Sequence, residues 1–136
     1  MIYNFSDFFS NNIDAYLHSN PDKKNINNIV DEFSNSKKIA IPEQIHSSIV
    51  KDIKKEGIFS NTDGLVTSER DLILTLKAAD CVPIFLYDKN RGIFGLIHSG
   101  WKGTASNIVL NGIKKMINNK SHTDDIMVLL GPCIQS

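Results

Sequence analysis

The stretch Val82-Pro83-Ile84-Phe85-Leu86-Tyr87, then Asp88-Lys89-Asn90-Arg91-Gly92, then Ile93-Phe94-Gly95-Leu96-Ile97 decides the fold. Two short apolar runs flank five residues rich in turn formers. Asp and Asn hydrogen-bond to their own nearby backbone, and Gly accepts a positive φ, so the middle segment reads as a tight turn. Two continuous apolar runs of strand length joined this way predict a β-hairpin at the apolar centre of the chain.

Outward from the hairpin, the pattern alternates between strand and helix signals. Downstream, Gly100-Trp101-Lys102-Gly103 leads into a helix over Thr104–Asn118 whose apolar face is Ile108, Val109, Ile113, Met116 and Ile117. Residues 118–124 read as a loop, and Ile126–Leu130 as a last buried strand. Upstream, Leu72–Leu76 alternates apolar with small polar residues, Leu65–Thr67 is a short strand, and Lys51–Asp63 reads as a mobile polar stretch. Lys38–Pro42 is another short strand. Asn20-Pro21 looks like a helix cap and first-turn proline, followed by Ile26, Ile29, Val30 and Phe33 at helical spacing, so a helix is expected over Pro21–Ser34. The first nineteen residues cluster aromatics (Tyr3, Phe5, Phe8, Phe9, Tyr16) with no clear period. The expected class is α/β (α+β), a mixed sheet with flanking helices, in a single domain over residues 1–136.

Composition narrows the function classes. Hydrophobic residues make up 41%, enough for a buried core, and fifteen basic residues balance fifteen acidic ones. A neutral chain lacks the electrostatic footprint of a nucleic-acid binder, and Lys51, Lys54 and Lys55 read as a solvated face. No run approaches the ~20 apolar residues of a membrane helix. The N-terminus lacks the cationic head and apolar run of a secretory signal, so no membrane partner and a cytoplasmic setting are expected. Two cysteines, Cys81 and Cys133, without a signal peptide give no ground for a disulfide.

Three reactive side chains sit at the ends of apolar runs: His46, Cys81 and His98. Strand ends are where rigid elements hand over to loops, and reactive groups concentrate there. Two imidazoles, one thiolate and an open fourth position make a catalytic zinc site. No pair has the close spacing of a standard ligand motif, and a buried cysteine or a hydrogen-bonded core histidine reads the same way in sequence. Gly100 and Gly103 permit a tight turn into the next helix. Its first amides, with the charge of Lys102, suit a phosphate, although a plain strand-to-helix loop has the same pattern. Trp101 would stack on a base or serve as core or lid. His18 and His122 lie in polar loop contexts and receive no function.

Five segments, taken in order, carry a resemblance. Gln44-Ile45-His46 with Val50 resembles a Gln-Val-His motif, and Asp63-Gly64-Leu65-Val66-Thr67 resembles Asp-Ala-Leu-Val-Thr. Ala79-Asp80-Cys81-Val82-Pro83-Ile84 resembles an Ala-Asp-Cys-Val-Pro core. Ile97-His98-Ser99-Gly100-Trp101-Lys102-Gly103 is similar to Val-His-Ala-Gly-Trp-Arg-Gly, and Gly131-Pro132-Cys133-Ile134 looks like Gly-Pro-Cys-Ile. The family so resembled is the laccase-domain, or multicopper polyphenol oxidase-like, group of zinc-dependent purine nucleoside enzymes, and the likeness covers roughly Asn20 to Ile134. It implies phosphorolysis of adenosine, inosine or methylthioadenosine and deamination of adenosine, with purine nucleoside and phosphate as partners. It implies one zinc on His46, Cys81 and His98. Copper suits the same donor set. Asp80, next to Cys81, is the candidate for the acid–base role or for supporting the metal ligands, and Gln44 and Lys102 are the candidate substrate-binding residues.

Three departures qualify what is carried over. Lys102 stands where the family has Arg, which keeps the charge but loses the two-pronged grip on phosphate. The family's glycine- and arginine-containing N-terminal motif is not recognisable before Asn20. Family members also continue well past Gly-Pro-Cys-Ile. The resemblance thus implies a front portion of the fold, with self-association, an apolar patch beside Leu129 and Leu130 or a metal site open on one side, and weak or no turnover on its own. Two other functions fit the same residues: a metal-free Cys–His hydrolase with Cys81 activated by His98, and an inactive fragment serving as a binding module.

Overall fold

A computed structural model describes residues 2–10, 12–19, 25–36 and 38–132. The chain divides into two compact units, Met1–Lys37 and Lys38–Ser136.

In the first unit, β1 (Ile2–Asn4) pairs antiparallel with β2 (Tyr16–His18), and a 3-10 turn covers Ser6–Phe9. The helix α1 covers Ile26–Asp31, inside the expected Pro21–Ser34, of which 21–24 lie outside the described residues. Its cap is Asn25, whose side chain accepts from the Asn28 amide at 3.0 Å, and a tighter turn carries the chain on to Ser34. The expected Asn20-Pro21 cap lies outside the described residues.

The second unit carries the hairpin. Strands β3 (Ile39–Pro42), β4 (Val50–Asp52), β5 (Gly57–Phe59), β6 (Gly64–Thr67) and β7 (Ile73–Leu74) lead into β8 (Val82–Asp88) and β9 (Ile93–Ser99). The helices α2 (Trp101–Ala105) and α3 (Ile108–Asn118) follow, then β10 (Ile126–Leu130). β8 and β9 pair antiparallel from Val82↔Ser99 to Asp88↔Ile93. The turn forms as its chemistry requires: the Asp88 carboxylate accepts from the amides of Asn90 and Arg91, and Gly92 takes φ +70.

Two sheets result, a five-stranded one ordered β10-β8-β9-β6-β4 and a three-stranded parallel one ordered β5-β3-β7. The stretch 51–63, expected to be polar and mobile, instead supplies β4 and β5. Each is three residues long and is held by parallel pairing to β6 or β3. Sequence periodicity cannot register so short a strand, because two alternations fit almost any segment.

Side-chain alternation splits the core about the larger sheet. Val66, Ile84, Leu86, Ile93 and Ile97 pack with Ile108 and Met116 of α3. On the other side of β6, Leu65 packs with Ala40, Ile53 and Leu72. Gly112 lets α3 approach the sheet, since a Cβ there would stand 2.4 Å from Ile97 Cδ1. The expected single helix over Thr104–Asn118 begins earlier and breaks in two, because Asn107 adopts the left-handed conformation (φ 59, ψ 47). Asn tolerates that conformation, which interrupts the helical ladder. At the β10 edge, Val128 and Leu130 are exposed and Leu129 is half-buried. No helix among the described residues is long and apolar enough to cross a membrane.

Candidate metal centre

The hairpin register explains how distant residues meet. Val82 lies opposite Ser99, so Cys81, one residue before β8, arrives beside His98 near the end of β9. β6 runs antiparallel to β9 with Gly64 opposite Ile97, which sets Asp63 against His98. The loop between β3 and β4 then brings in His46. The potential ligand atoms of His46, Cys81 and His98 all lie within 4.8 Å of one another. The two imidazole rings stand 5.1 Å apart at 67°. Among the described residues this is the one group of three His, Cys, Asp or Glu side chains close enough to share an ion. His98 is buried, Cys81 half-buried and His46 exposed, so the cluster opens on one side.

Asp63 organises this corner. It is fully buried, and its carboxylate accepts from the amides of Ile45 (3.0 Å), His46 (3.0 Å) and Ser47 (2.8 Å), from the Ser47 hydroxyl (2.7 Å) and from His98 Nδ1 (2.8 Å). The backbone repeats the link, with His98 N–H donating to the Asp63 carbonyl at 2.7 Å. Burial alone pushes the Asp63 carboxyl up. The hydrogen bonds from His98, Ser47 and Ile45 outweigh it and hold the group below the usual carboxylate range. His46 takes φ +60, a left-handed conformation that costs an L residue with a Cβ roughly 1–2 kcal/mol and needs support from its surroundings.

The donor arrangement fits a single metal ion. Gly100 passes so close that a Cβ there would stand 3.1 Å from His46 Cδ2 and 3.2 Å from Cys81 Sγ. Gly103 clears the same loop from α2, where a Cβ would meet the Ser47 carbonyl at 3.0 Å. From α3, Asn111 Nδ2 donates to the Ser48 carbonyl at 2.8 Å.

The remaining expected site residues fall around this cluster in different ways. Asp80 is exposed in the bend ahead of β8, outside the strand. Lys102 is exposed on the five-residue α2, its ammonium 5.6 Å from the Trp101 ring centroid, and Trp101 is 78% exposed, so it is not a core residue. Gln44 is bound on both sides of one residue: its amide donates to the Lys77 carbonyl at 2.6 Å and accepts from the Lys77 amide at 2.8 Å. That clamp ties the His46 loop to the segment entering Cys81. Cys133 lies outside the described residues. Sequence reasoning gave no role to Asp63. The available signal was a carboxylate directly ahead of Gly64–Thr67, a strand buried at every position.

Residues 6–136 match the family model described as multi-copper polyphenol oxidoreductase laccase. The chain belongs to that family. It is 35% identical over 132 residues to a purine nucleoside phosphorylase of Clostridium acetobutylicum, covering 94% of this chain and 56% of the relative. It is 31% identical over 106 residues to an adenosine deaminase, RL5, of an unknown prokaryotic organism, covering 71% of this chain and 40% of the relative. Among solved structures, the hypothetical protein YfiH of Bacillus licheniformis superposes with a TM-score of 0.74 at 29% identity, covering 79% of this chain and 45% of that one. The chain thus spans about half the length of the curated relatives it matches.

Proposed function

We propose that this chain forms the metal centre and part of the substrate site of a zinc-dependent purine nucleoside enzyme, acting in the cytoplasm, as the front part of a single domain. The observation that carries this is the convergence of His46, Cys81 and His98 within 4.8 Å around the Gly100 backbone. The relatives named purine nucleoside phosphorylase and adenosine deaminase support the choice of substrate. Two imidazoles and a thiolate suit zinc with a fourth position left to water or substrate. Copper accepts the same donors.

When bound, the zinc ion supplies Lewis acidity at neutral pH. The chain's own groups do the rest. His98 and His46 present imidazole nitrogens and Cys81 a thiolate. To Asp80, exposed beside Cys81, the proposal gives the role of accepting and returning a proton. Lys102, two residues after Gly100, would bring positive charge for phosphate, and Gln44, held against Lys77, would be the second substrate-binding residue. Phosphorolysis uses phosphate against the ribose anomeric carbon, and deamination uses water at the purine carbon bearing the amino group.

A second reading has one observation in its favour. Asp63, His98 and Cys81 also line up as acid, base and nucleophile, the arrangement of a metal-free Cys–His hydrolase. Metal analysis of a chelator-free preparation decides between them, together with product analysis on adenosine, inosine and methylthioadenosine, with and without phosphate. The proposal expects about one zinc per chain and nucleobase release that needs phosphate, or inosine formed from adenosine without it. A metal-free protein with thiol-dependent hydrolysis overturns it.

A further inference from the structure

We propose that Asp63 is the positioning residue of this centre: one carboxylate fixes the tautomer of His98 and at the same time holds the turn that presents His46. The inference rests on the reading of the cluster as a metal centre and adds to it a residue outside the three donors.

An ionised carboxylate only accepts hydrogen bonds. His98 Nδ1, 2.8 Å from Asp63 Oδ2, therefore carries the hydrogen, which leaves Nε2 with its lone pair as the ring's donor atom. The same Oδ2 accepts from the His46 amide, while Oδ1 takes the Ile45 and Ser47 amides and the Ser47 hydroxyl. Three consecutive N–H groups thus converge on one anion, and the middle one belongs to the residue held at φ +60. Asp63 is itself placed by the sheet, because its own N–H donates to the Ile49 carbonyl at 3.0 Å and its carbonyl accepts from His98. The two imidazoles, fifty-two residues apart by number, depend on one fully buried side chain.

An amide of the same shape cannot do this work in either orientation. With Asn Nδ2 in the place of Oδ2, a donor faces the His46 amide, and His98 must turn Nδ1 into an acceptor. The proton then moves to Nε2, the nitrogen needed by the metal. With Nδ2 in the place of Oδ1, a donor faces the amides of both Ile45 and Ser47, so the first orientation, which opposes one amide, is the one expected in Asp63→Asn. Each arrangement leaves a buried donor without an acceptor.

The test has two arms. Nitrogen-resolved NMR of the metal-free chain, above the ordinary imidazole titration range, should show His98 protonated at Nδ1. In Asp63→Asn the same signal should move to the Nε2–H form, and zinc affinity, measured by competition with a chelator, should fall about 10–100-fold. A residue that merely supported the fold would leave the tautomer of His98 alone. Finding His98 protonated at Nε2 in the parent chain overturns the proposal, and this measurement needs no variant, so it stands if Asp63→Asn does not fold. A parent that binds no zinc overturns the metal-centre reading. Zinc on the parent, with affinity and tautomer unchanged in Asp63→Asn, overturns this proposal alone.

Discussion

Gly100→Ala tests the packing of the centre directly. Gly100 has φ −83 and ψ −178, an extended conformation open to any residue, so alanine introduces no backbone strain. The added methyl carbon would stand 3.1 Å from His46 Cδ2 and 3.2 Å from Cys81 Sγ. Favourable carbon contacts lie at about 3.5–4.0 Å, so the two ligands must give way by several tenths of an ångström. Metal–ligand distances tolerate only about 0.2 Å, so the shift falls on metal binding rather than on folding. Disturbing the surroundings of metal ligands typically lowers affinity about 10–100-fold, or about 1.4–2.8 kcal/mol. The metal-free protein should change little, because His46 is exposed and can move outward, and because Gly→Ala restricts the unfolded chain. The assay is chelator competition for zinc, with thermal unfolding of the metal-free form alongside. Zinc affinity within about twofold of the parent would refute the argument that Gly100 is glycine because the ligands need its space.

Three further substitutions probe other parts of the reading. Cys81→Ser replaces a thiolate donor with a hydroxyl that stays protonated; zinc retention should be lost while the unfolding free energy of the metal-free form stays within about 0.5 kcal/mol, as checked by metal analysis and denaturant titration. Gln44→Ala removes both hydrogen bonds to Lys77 and should cost about 0.5–1.5 kcal/mol, with faster amide exchange at Lys77; a rise in KM with unchanged stability would instead assign Gln44 to substrate contact. Leu130→Lys places charge on a side chain that is 64% exposed at the β10 edge, and should weaken any concentration-dependent association seen by sedimentation. A parent chain that is monomeric throughout removes the case for association at that edge.

The hairpin was legible because local chemistry and long-range pairing agree there. The apolar runs around Asp88–Gly92 need nothing beyond themselves to define a register, and that register carries Cys81 to His98. The strand Ile126–Leu130 was legible from its five consecutive apolar residues, but not its place at the sheet edge, where none of them is fully buried. β4 and β5 were not, since each is held by a partner strand distant in sequence. The break at Asn107 was hidden because apolar spacing continues from Ile108 and says nothing about the conformation of one residue before it. His46, Cys81 and His98 were visible as reactive residues at strand ends, but their convergence rested on likeness between motifs, since no pair has ligand spacing. Asp63 shows the limit most clearly. Its role consists of bonds to residues 45–47 and 98, and the apolar strand that follows it signals burial but not those partners. Trp101 reads ambiguously for the opposite reason: a single large apolar residue leaves core and surface equally open until its exposure is known.

The loop carrying His46 is held from three directions by groups that are not ligands. Asp63 grips its amides from just ahead of β6, α2 closes on Ser47 where Gly103 leaves room, and Asn111 reaches Ser48 from α3. Neither apolar cluster of this unit includes His46, Cys81 or His98. The sheet and α3 therefore have a source of stability separate from the donors, unlike small metal domains whose core exists only when the ion is bound. If the centre binds a metal as proposed, such a division lets the fold set the positions of the three donors before the ion arrives. The cost of the left-handed turn at His46 is then met by hydrogen bonds already in place. Binding energy is left for the ion and whatever occupies its open side.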